Sequence, residues 1–277
     1  MFWTKPDGAT LCDGFVQLAA TVWDTLEHGW SEPARVSETT ITDMIVAWLR
    51  RYYPDQVDAY KTHNESLVGG DIDMHFVGPA EYFGIRFQAK RLDGQKENLS
   101  YPALDSQQCE ALQEHASAAN LHPLYLFYNW WPGHPADFHA GCTVLDPWFV
   151  RDAFLEHEDG DWRRAANFLP KSRPWHNLVC LSGPPISYPD VRPGSPAGVS
   201  AVARHLKPRF RAPPGVSDEG HAYIGRLRSA PRSVRSLAES TDAQSEYFER
   251  NSVRWTVVVK DMGPNPSSDF ESSPAPR

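Results

Sequence analysis

Three residues with complementary chemistry fall close together in the chain: Asp71, Gln88 and Lys90. Phosphodiester hydrolysis needs a hard cation that neutralises charge growing on the phosphate and activates water. Magnesium prefers one or two carboxylates and keeps several of its own waters. Asp71 offers a carboxylate, Gln88 a neutral amide oxygen, and Lys90 a point charge for the phosphate or the attacking water. Asp73 is a second carboxylate two residues beyond the first. Residues two apart on a strand share a face. Asp71 with Asp73, and Gln88 with Lys90, therefore project together, and pairing of the two strands would bring all four to one spot. Asp71, Gln88 and Asp73 are the candidate ligands for Mg²⁺ or Mn²⁺. The Gly69-Gly70-Asp71 register favours Asp71 over Asp73 as the leading acid.

The pattern around these residues supplies elements to hold them. Asp71 to Gly78 alternates polar and apolar residues, as does Gly84 to Arg91, and both read as strands. Pro79 to Tyr82 suits a hairpin connection between them. Upstream, residues 11–31 carry Phe15, Leu18, Val22 and Leu26 at helical spacing. A second helix is expected from Ser37, a good N-cap, with Glu38 in its first turn, Ile41, Ile45 and Leu49 as its apolar stripe, and Pro54 as its stop. Downstream, Ser106 to Ala119 reads as a helix with Asn120 as its C-cap, and Leu124 to Asn129 as a buried strand. Gly141 to Leu145 reads as a short strand, Pro147 to Leu155 as a helix and His176 to Leu181 as one more strand. The order is that of an α/β domain with a mixed sheet flanked by helices.

An Asp opening one strand, followed on its neighbour by Gln88-Ala89-Lys90, resembles the PD-(D/E)XK restriction-endonuclease-like superfamily in the glutamine form of Mrr-type enzymes. Glu38 looks like the acidic residue that superfamily often carries in the preceding helix. The run Phe87 to Arg91, then Tyr101, Gln107-Gln108 and Pro123 to Asn129, also resembles a family of uncharacterised bacterial proteins over roughly residues 35–181. The resemblance implies a restriction-endonuclease-like fold and a Mg²⁺-dependent nuclease, a hydrolase of phosphodiester bonds that acts on DNA, in defence against foreign DNA. Asp71, Gln88, Lys90 and Glu38 would be its catalytic residues. Cutting both strands usually takes two active sites, which points to a symmetric homodimer. Two other readings stay open: a catalytically inactive module of the same fold that binds nucleic acid or a protein partner, and an unrelated α/β interaction protein. A hairpin with solvated Asp and Lys on its outer face would also carry these residues without any chemistry.

Charge and composition divide the chain. The net charge is −8, but residues 1–186 hold 14 basic against 25 acidic side chains, whereas residues 187–277 hold 13 against 10. Residues 204–235 carry eight basic and two acidic residues, a stripe able to bind phosphates or to serve as a solvated tail. Thirteen of the 24 prolines lie from Pro184 onward. The expected organisation is a nuclease-like domain at 1–182, a basic, loosely structured Pro-rich extension at 183–262 with a late strand at Trp255 to Val259, and a disordered tail at 263–277. No apolar run approaches the roughly 18 residues of a membrane span, and the N-terminal residues do not read as a secretory signal. Cys12, Cys109, Cys142 and Cys180 are widely spaced, which suggests reduced thiols in a cytoplasm. Weaker candidates are Glu65 as an outer ligand, His134, Asp137 and His139 as a metal group, Cys142 with His139 as part of a zinc site, and Asn129-Trp130-Trp131 as a stacking platform or a packed loop rim.

Overall fold

Among the described residues, seven strands pair into one mixed sheet in the order β1-β7-β2-β3-β4-β5-β6. They are β1 (Val57–Lys61), β2 (Ile72–Val77), β3 (Tyr82–Arg91), β4 (His122–Tyr128), β5 (Cys142–Leu145), β6 (Arg173–Pro174) and β7 (Trp255–Lys260). The computed structural model describes residues 9–31, 36–61, 70–78, 82–94, 98–133, 140–157, 160–180, 230–251 and 253–260. The central pairs alternate in sense: β2 runs antiparallel to β3 and parallel to β7, and β3 runs parallel to β4. An α/β domain with a mixed sheet flanked by helices is therefore what the chain forms.

One sheet face is covered by α1 (Leu11–Ser31) and α2 (Glu38–Tyr52). Ile72, Met74, Phe76, Ile85, Phe87, Leu124, Leu126, Val257 and Val259 pack there against Phe15, Leu18, Trp23, Ile41, Ile45 and Leu49. The opposite face is covered by α3 (Ser106–Ala118) and α4 (Pro147–Glu156), which enclose Tyr125, Phe127 and Leu145. Beside them, α6 (Arg232–Arg235) and α7 (Thr241–Asn251) pack on Tyr82 and Val258. A single turn, α5 (Ala165–Phe168), closes the α4 side. The helices start where capping chemistry allows. Ser37 accepts from the Thr40 N–H, Asp105 from that of Gln107, and Asp146 from that of Trp148 beside a Pro at the first position. Asn120 adopts φ 55° just past α3, the left-handed cap expected there.

Several expectations need correction. His176 to Cys180, the described part of an expected strand, does not form one: Trp175–Leu178 is a 3₁₀ turn that follows the two-residue β6. Residues 57–61, not assigned from sequence, form edge strand β1. The late strand is not an appendage of a separate extension, since β7 lies between β1 and β2. Most of the extension, the proposed disordered tail and most of the 204–235 basic stripe lie outside the described residues. The thiols also differ from expectation. Cys12 and Cys180 form a disulfide across 168 residues, while Cys109 and Cys142 are free and buried. The pairing was hidden because it depends on α1 folding back onto the 175–180 segment, where Trp175 donates to the Phe15 carbonyl. It removes the thiol-based reason for a cytoplasmic location. No helix among the described residues is long and apolar enough to cross a membrane.

Closing so long a loop restricts the unfolded chain by roughly 5 kcal/mol in the chain-entropy model, with 2–5 kcal/mol typical of such bonds. Cys12→Ser should therefore lower unfolding free energy by about 2–5 kcal/mol in urea titrations under oxidising conditions. Reductant should bring the wild type to the same midpoint. Equal midpoints for oxidised wild type and variant would show that the bond contributes nothing.

Candidate functional site

The site is a notch in the sheet. β2 begins at Ile72, opposite Phe87, but β3 continues to Arg91. The N–H groups of Ala89 and Arg91 face the space that β2 has vacated, about 7 Å apart along the strand. An unpaired backbone donor is costly, so each takes a side-chain acceptor. Ala89 N–H donates to Asp71 Oδ2 (2.7 Å) and Arg91 N–H to Glu38 Oε1 (2.8 Å). Asp71 is itself fixed by backbone bonds on both sides, its N–H to the Phe87 carbonyl (2.7 Å) and its carbonyl from the Trp255 N–H (3.0 Å). Gly70 precedes it because a Cβ there would lie 2.9 Å from the Arg86 side chain. The second glycine of the Gly-Gly-Asp signal thus reflects close approach to a buried arginine.

Gln88 donates through Nε2 to Asp71 Oδ2 (2.7 Å), and Lys90 Nζ donates to Gln108 Oε1 at the start of α3 (2.8 Å). Lys90 is only 4% exposed, so it is not a solvated outer-face lysine. Glu38 opens α2, which is anchored over the notch by Thr42: its hydroxyl donates to the Glu38 carbonyl and meets the Tyr128 hydroxyl at 2.9 Å. Asp71, Gln88, Lys90 and Glu38 therefore gather at one place. Burial pushes the Asp71 carboxyl up to about 6, and Glu38 adds to the rise, against the pull of the Ala89 N–H, Lys90 and Arg254. Arg91 makes backbone contacts, its Nη1 donating to the Val36 carbonyl (2.6 Å).

Asp73 does not join them. It is fully buried, and both its oxygens are taken: Arg86 donates Nε to Oδ1 and Nη2 to Oδ2, each at 2.7 Å, and the Tyr247 hydroxyl reaches Oδ2 at 3.2 Å. The expected metal-ligand role of Asp73 is thus corrected to a structural one, tying α7 to the sheet. Tyr247 also bonds His75 Nε2 (2.7 Å), whose Nδ1 bonds Tyr82. Burial and Arg86 hold His75 down to about 3, so it is neutral. A cavity of about 1170 Å³ lies beside this network, between the end of α3 and α6–α7, and includes none of the notch residues.

The remaining candidates divide. Glu65, His134, Asp137 and His139 lie outside the described residues. Asn129 is buried and bonded to Tyr101, Ala140 and Thr143, Trp130 is buried, and Trp131 packs edge-on to Trp23, so this run is a packed loop rim. Sequence reasoning missed two partners. In the sequence Gln108 reads only as part of the opening of a helix. Asp43, one turn beyond Glu38, binds Arg254 through two bonds (3.0 and 2.8 Å), Trp255 Nε1 (2.7 Å) and Lys61 (3.3 Å). Three donors on two elements hold the Asp43 carboxyl near 2 in spite of partial burial. Nothing local in the sequence joins positions 43, 61 and 254.

Fold and notch together define an α/β domain with a carboxylate–amide–ammonium cluster at one end of its sheet. By its sequence the chain belongs to the family described as Family of unknown function (DUF6615), whose pattern matches residues 11–262 and so includes β7. No curated protein and no solved structure matches the chain.

Two substitutions separate the carboxylates. Between pH ~4 and 6 the folded protein keeps an Asp71 proton that the unfolded chain releases, so stability falls as pH rises through that window. Asp71→Asn should therefore be more stable than wild type by on the order of 2 kcal/mol at pH 7.5, with the gap closing below pH ~4. Asp73→Ala should lose about 3–5 kcal/mol, because it strands the buried Arg86. Denaturant titrations at pH 4 and pH 7.5 check both. An Asp71→Asn protein less stable than wild type at pH 7.5 would refute the burial account.

Proposed function

We propose that the protein is a metal-dependent nuclease of the restriction-endonuclease-like type, hydrolysing phosphodiester bonds in DNA. The observation that carries this reading is the convergence of Asp71, just before β2, with Gln88 and Lys90 of β3 and Glu38 of α2 on one notch.

The donor set suits a hard cation. Among the described residues, Asp71 Oδ1 and Glu38 Oε2 accept no hydrogen bond, so each carboxylate keeps one oxygen beyond the one that caps the strand. Gln88 Oε1 is a third hard oxygen. No group of three or more His, Cys, Asp or Glu among the described residues is placed to hold a metal. A cation here would rest on two carboxylates, one amide oxygen and its own waters, which is the habit of Mg²⁺. Bound there, it would neutralise phosphate charge and lower the pKa of a water. The chain's own part is to orient and to balance charge. Ala89 and Gln88 fix Asp71, and Arg91 fixes Glu38. Lys90, steered by Gln108 and desolvated, presents an ammonium where negative charge grows on the phosphate.

The same hydrogen bonds favour a second reading, an inactive module that binds nucleic acid or a protein partner. Two carboxylates that cap strand N–H groups, with a Gln in place of a third acid, are also sufficient to explain the notch as structure alone.

Cleavage decides between them. Wild-type protein with Mg²⁺ or Mn²⁺ is expected to nick supercoiled DNA, and Lys90→Ala and Asp71→Ala to lose at least ~10²-fold in rate, the scale for removing a charge-stabilising group. Gln88→Glu should place a carboxylate against Asp71, lower the melting temperature in EDTA, and recover it on adding Mg²⁺ as the tighter metal site fills. DNA binding that survives EDTA with no nicking under either metal would establish the second reading.

A further inference from the structure

The end of the sheet that holds the notch also holds a row of cations on its other side. Lys61, Trp255 and Ile72 are register partners on β1, β7 and β2, so Lys61 stands about 10 Å from the Asp71 position, across one intervening strand. α2 crosses above this row. It starts at the notch with Glu38 and places Asp43, Ala47, Arg50 and Arg51 on one stripe, at helical spacings of four, seven and eight. Ala47, Arg50, Arg51 and Lys61 are exposed. Between helix and sheet lies a depression of about 380 Å³ lined by Val46, Ala47, Arg50, Arg51, Ala59 and Trp255.

The charge around this depression is unbalanced. Of the cations beside it, Lys61 and Arg254 are engaged with Asp43, as is the Trp255 indole. Asp58 on β1 pairs with Lys260 at the far end of β7. Among the described residues neither Arg50 nor Arg51 meets a carboxylate. Two of the cations lie against rings, with the Arg51 guanidinium 5.6 Å from that of Tyr52 and Lys61 Nζ 5.4 Å from that of Trp255. A cationic rim beside the Trp255 ring suits a phosphate backbone with its sugar or base set against that ring. In a chain of net charge −8, such a tract also localises where a polyanion can approach. Basic residues in the last turn of a helix also complement its dipole, which would need no ligand. That role explains neither the depression nor its continuity with Asp71 through the Trp255 N–H.

Building on the nuclease reading, we propose that Arg50, Arg51, Lys61 and Trp255 form the track that holds the nucleic-acid backbone next to the scissile phosphate. The recognised chemistry is the phosphodiester chain, and DNA and RNA share it.

The test uses the full chain with Lys90→Ala, so that substrate survives. Fluorescence anisotropy follows a fluorescein-labelled 30-base-pair DNA duplex, the single-stranded DNA and the matching RNA, from 50 to 200 mM NaCl. Arg50→Gln/Arg51→Gln should weaken binding by about tenfold or more at 50 mM and lower the slope of log affinity against log salt by about 2. Arg50→Lys/Arg51→Lys should restore both. A double Gln variant that shifts only the melting temperature, with affinity and slope unchanged, overturns the track while the nuclease reading stands. If the parent binds none of the three probes, the nuclease reading fails and takes the track with it. Should the double variant not fold, Ala47→Glu puts a negative charge into the same stripe. The track requires it to weaken binding, and undiminished binding overturns the proposal.

Discussion

β3 outruns its neighbour, and the backbone donors exposed there must find acceptors. This requirement organises one whole end of the molecule. Where β2 stops pairing, the N–H groups of Ala89 and Arg91 would lose ladder partners at a largely buried position, and each uncompensated donor would cost about 1–3 kcal/mol. Asp71 and Glu38 supply the acceptors. Because Glu38 belongs to the first turn of α2, satisfying Arg91 also fixes where that helix begins. Thr42 then meets Tyr128, and Asp43 lands beside Arg254 and Trp255. A gap in the ladder is in this way converted into a defined geometry for two carboxylates.

The sheet holds its distant parts together through two further carboxylates, in opposite environments. Asp73 is fully buried in a bidentate pair with Arg86, whose Nη2 also reaches the Asn251 carbonyl on α7. A buried pair of this kind is weak evidence for stability, since desolvation offsets much of the attraction, but removing one partner is costly. Its effect here is placement: α7 sits over β2 and β3 because Tyr247 and Asn251 bond to that network. Asp43 is partly exposed and does the same for β1 and β7, joining Lys61, Arg254 and Trp255 to α2. The segment around residues 241–260 is thereby part of the site's support, although it is more than 160 residues from Asp71 in the chain.

That separation explains what was legible in the sequence. The strands at 72–77 and 82–91, the helices at 11–31, 38–52 and 106–118, and the meeting of Asp71 with Gln88 all follow from local periodicity and caps. β1 had the signal too, in the alternation Val57-Asp58-Ala59-Tyr60-Lys61 after a Pro-Asp turn, but five residues are easily passed over. α7 had almost none, for it is polar along its length and anchored mainly by Tyr247. The apolar run Leu178-Val179-Cys180 reads as a strand because periodicity cannot tell a buried turn from a buried strand. Asp73 was misread for a related reason. Alternation shows that a strand has two faces, not that the polar one meets water, and here Asp73 and His75 lie under α7. The disulfide and the place of β7 depend on contacts across the whole chain, to which local pattern is blind.

The identity of residue 88 follows from the electrostatics of the notch. Asp71 already carries the penalty of burial, raised further by Glu38. A glutamate at 88 would set a third anion against it, in hydrogen-bond range of Oδ2, with Lys90 drawn toward Gln108 rather than centred on the pair. Without a cation such a cluster could persist only by taking up a proton. Glutamine avoids this, because its amide donates to Asp71 and leaves an oxygen for a ligand. The arrangement therefore stands on its own as folded structure, and any cation it takes meets two carboxylates already in place. The trade is a lower charge count, which would weaken the hold on any cation, for a cluster that does not depend on one to keep its shape.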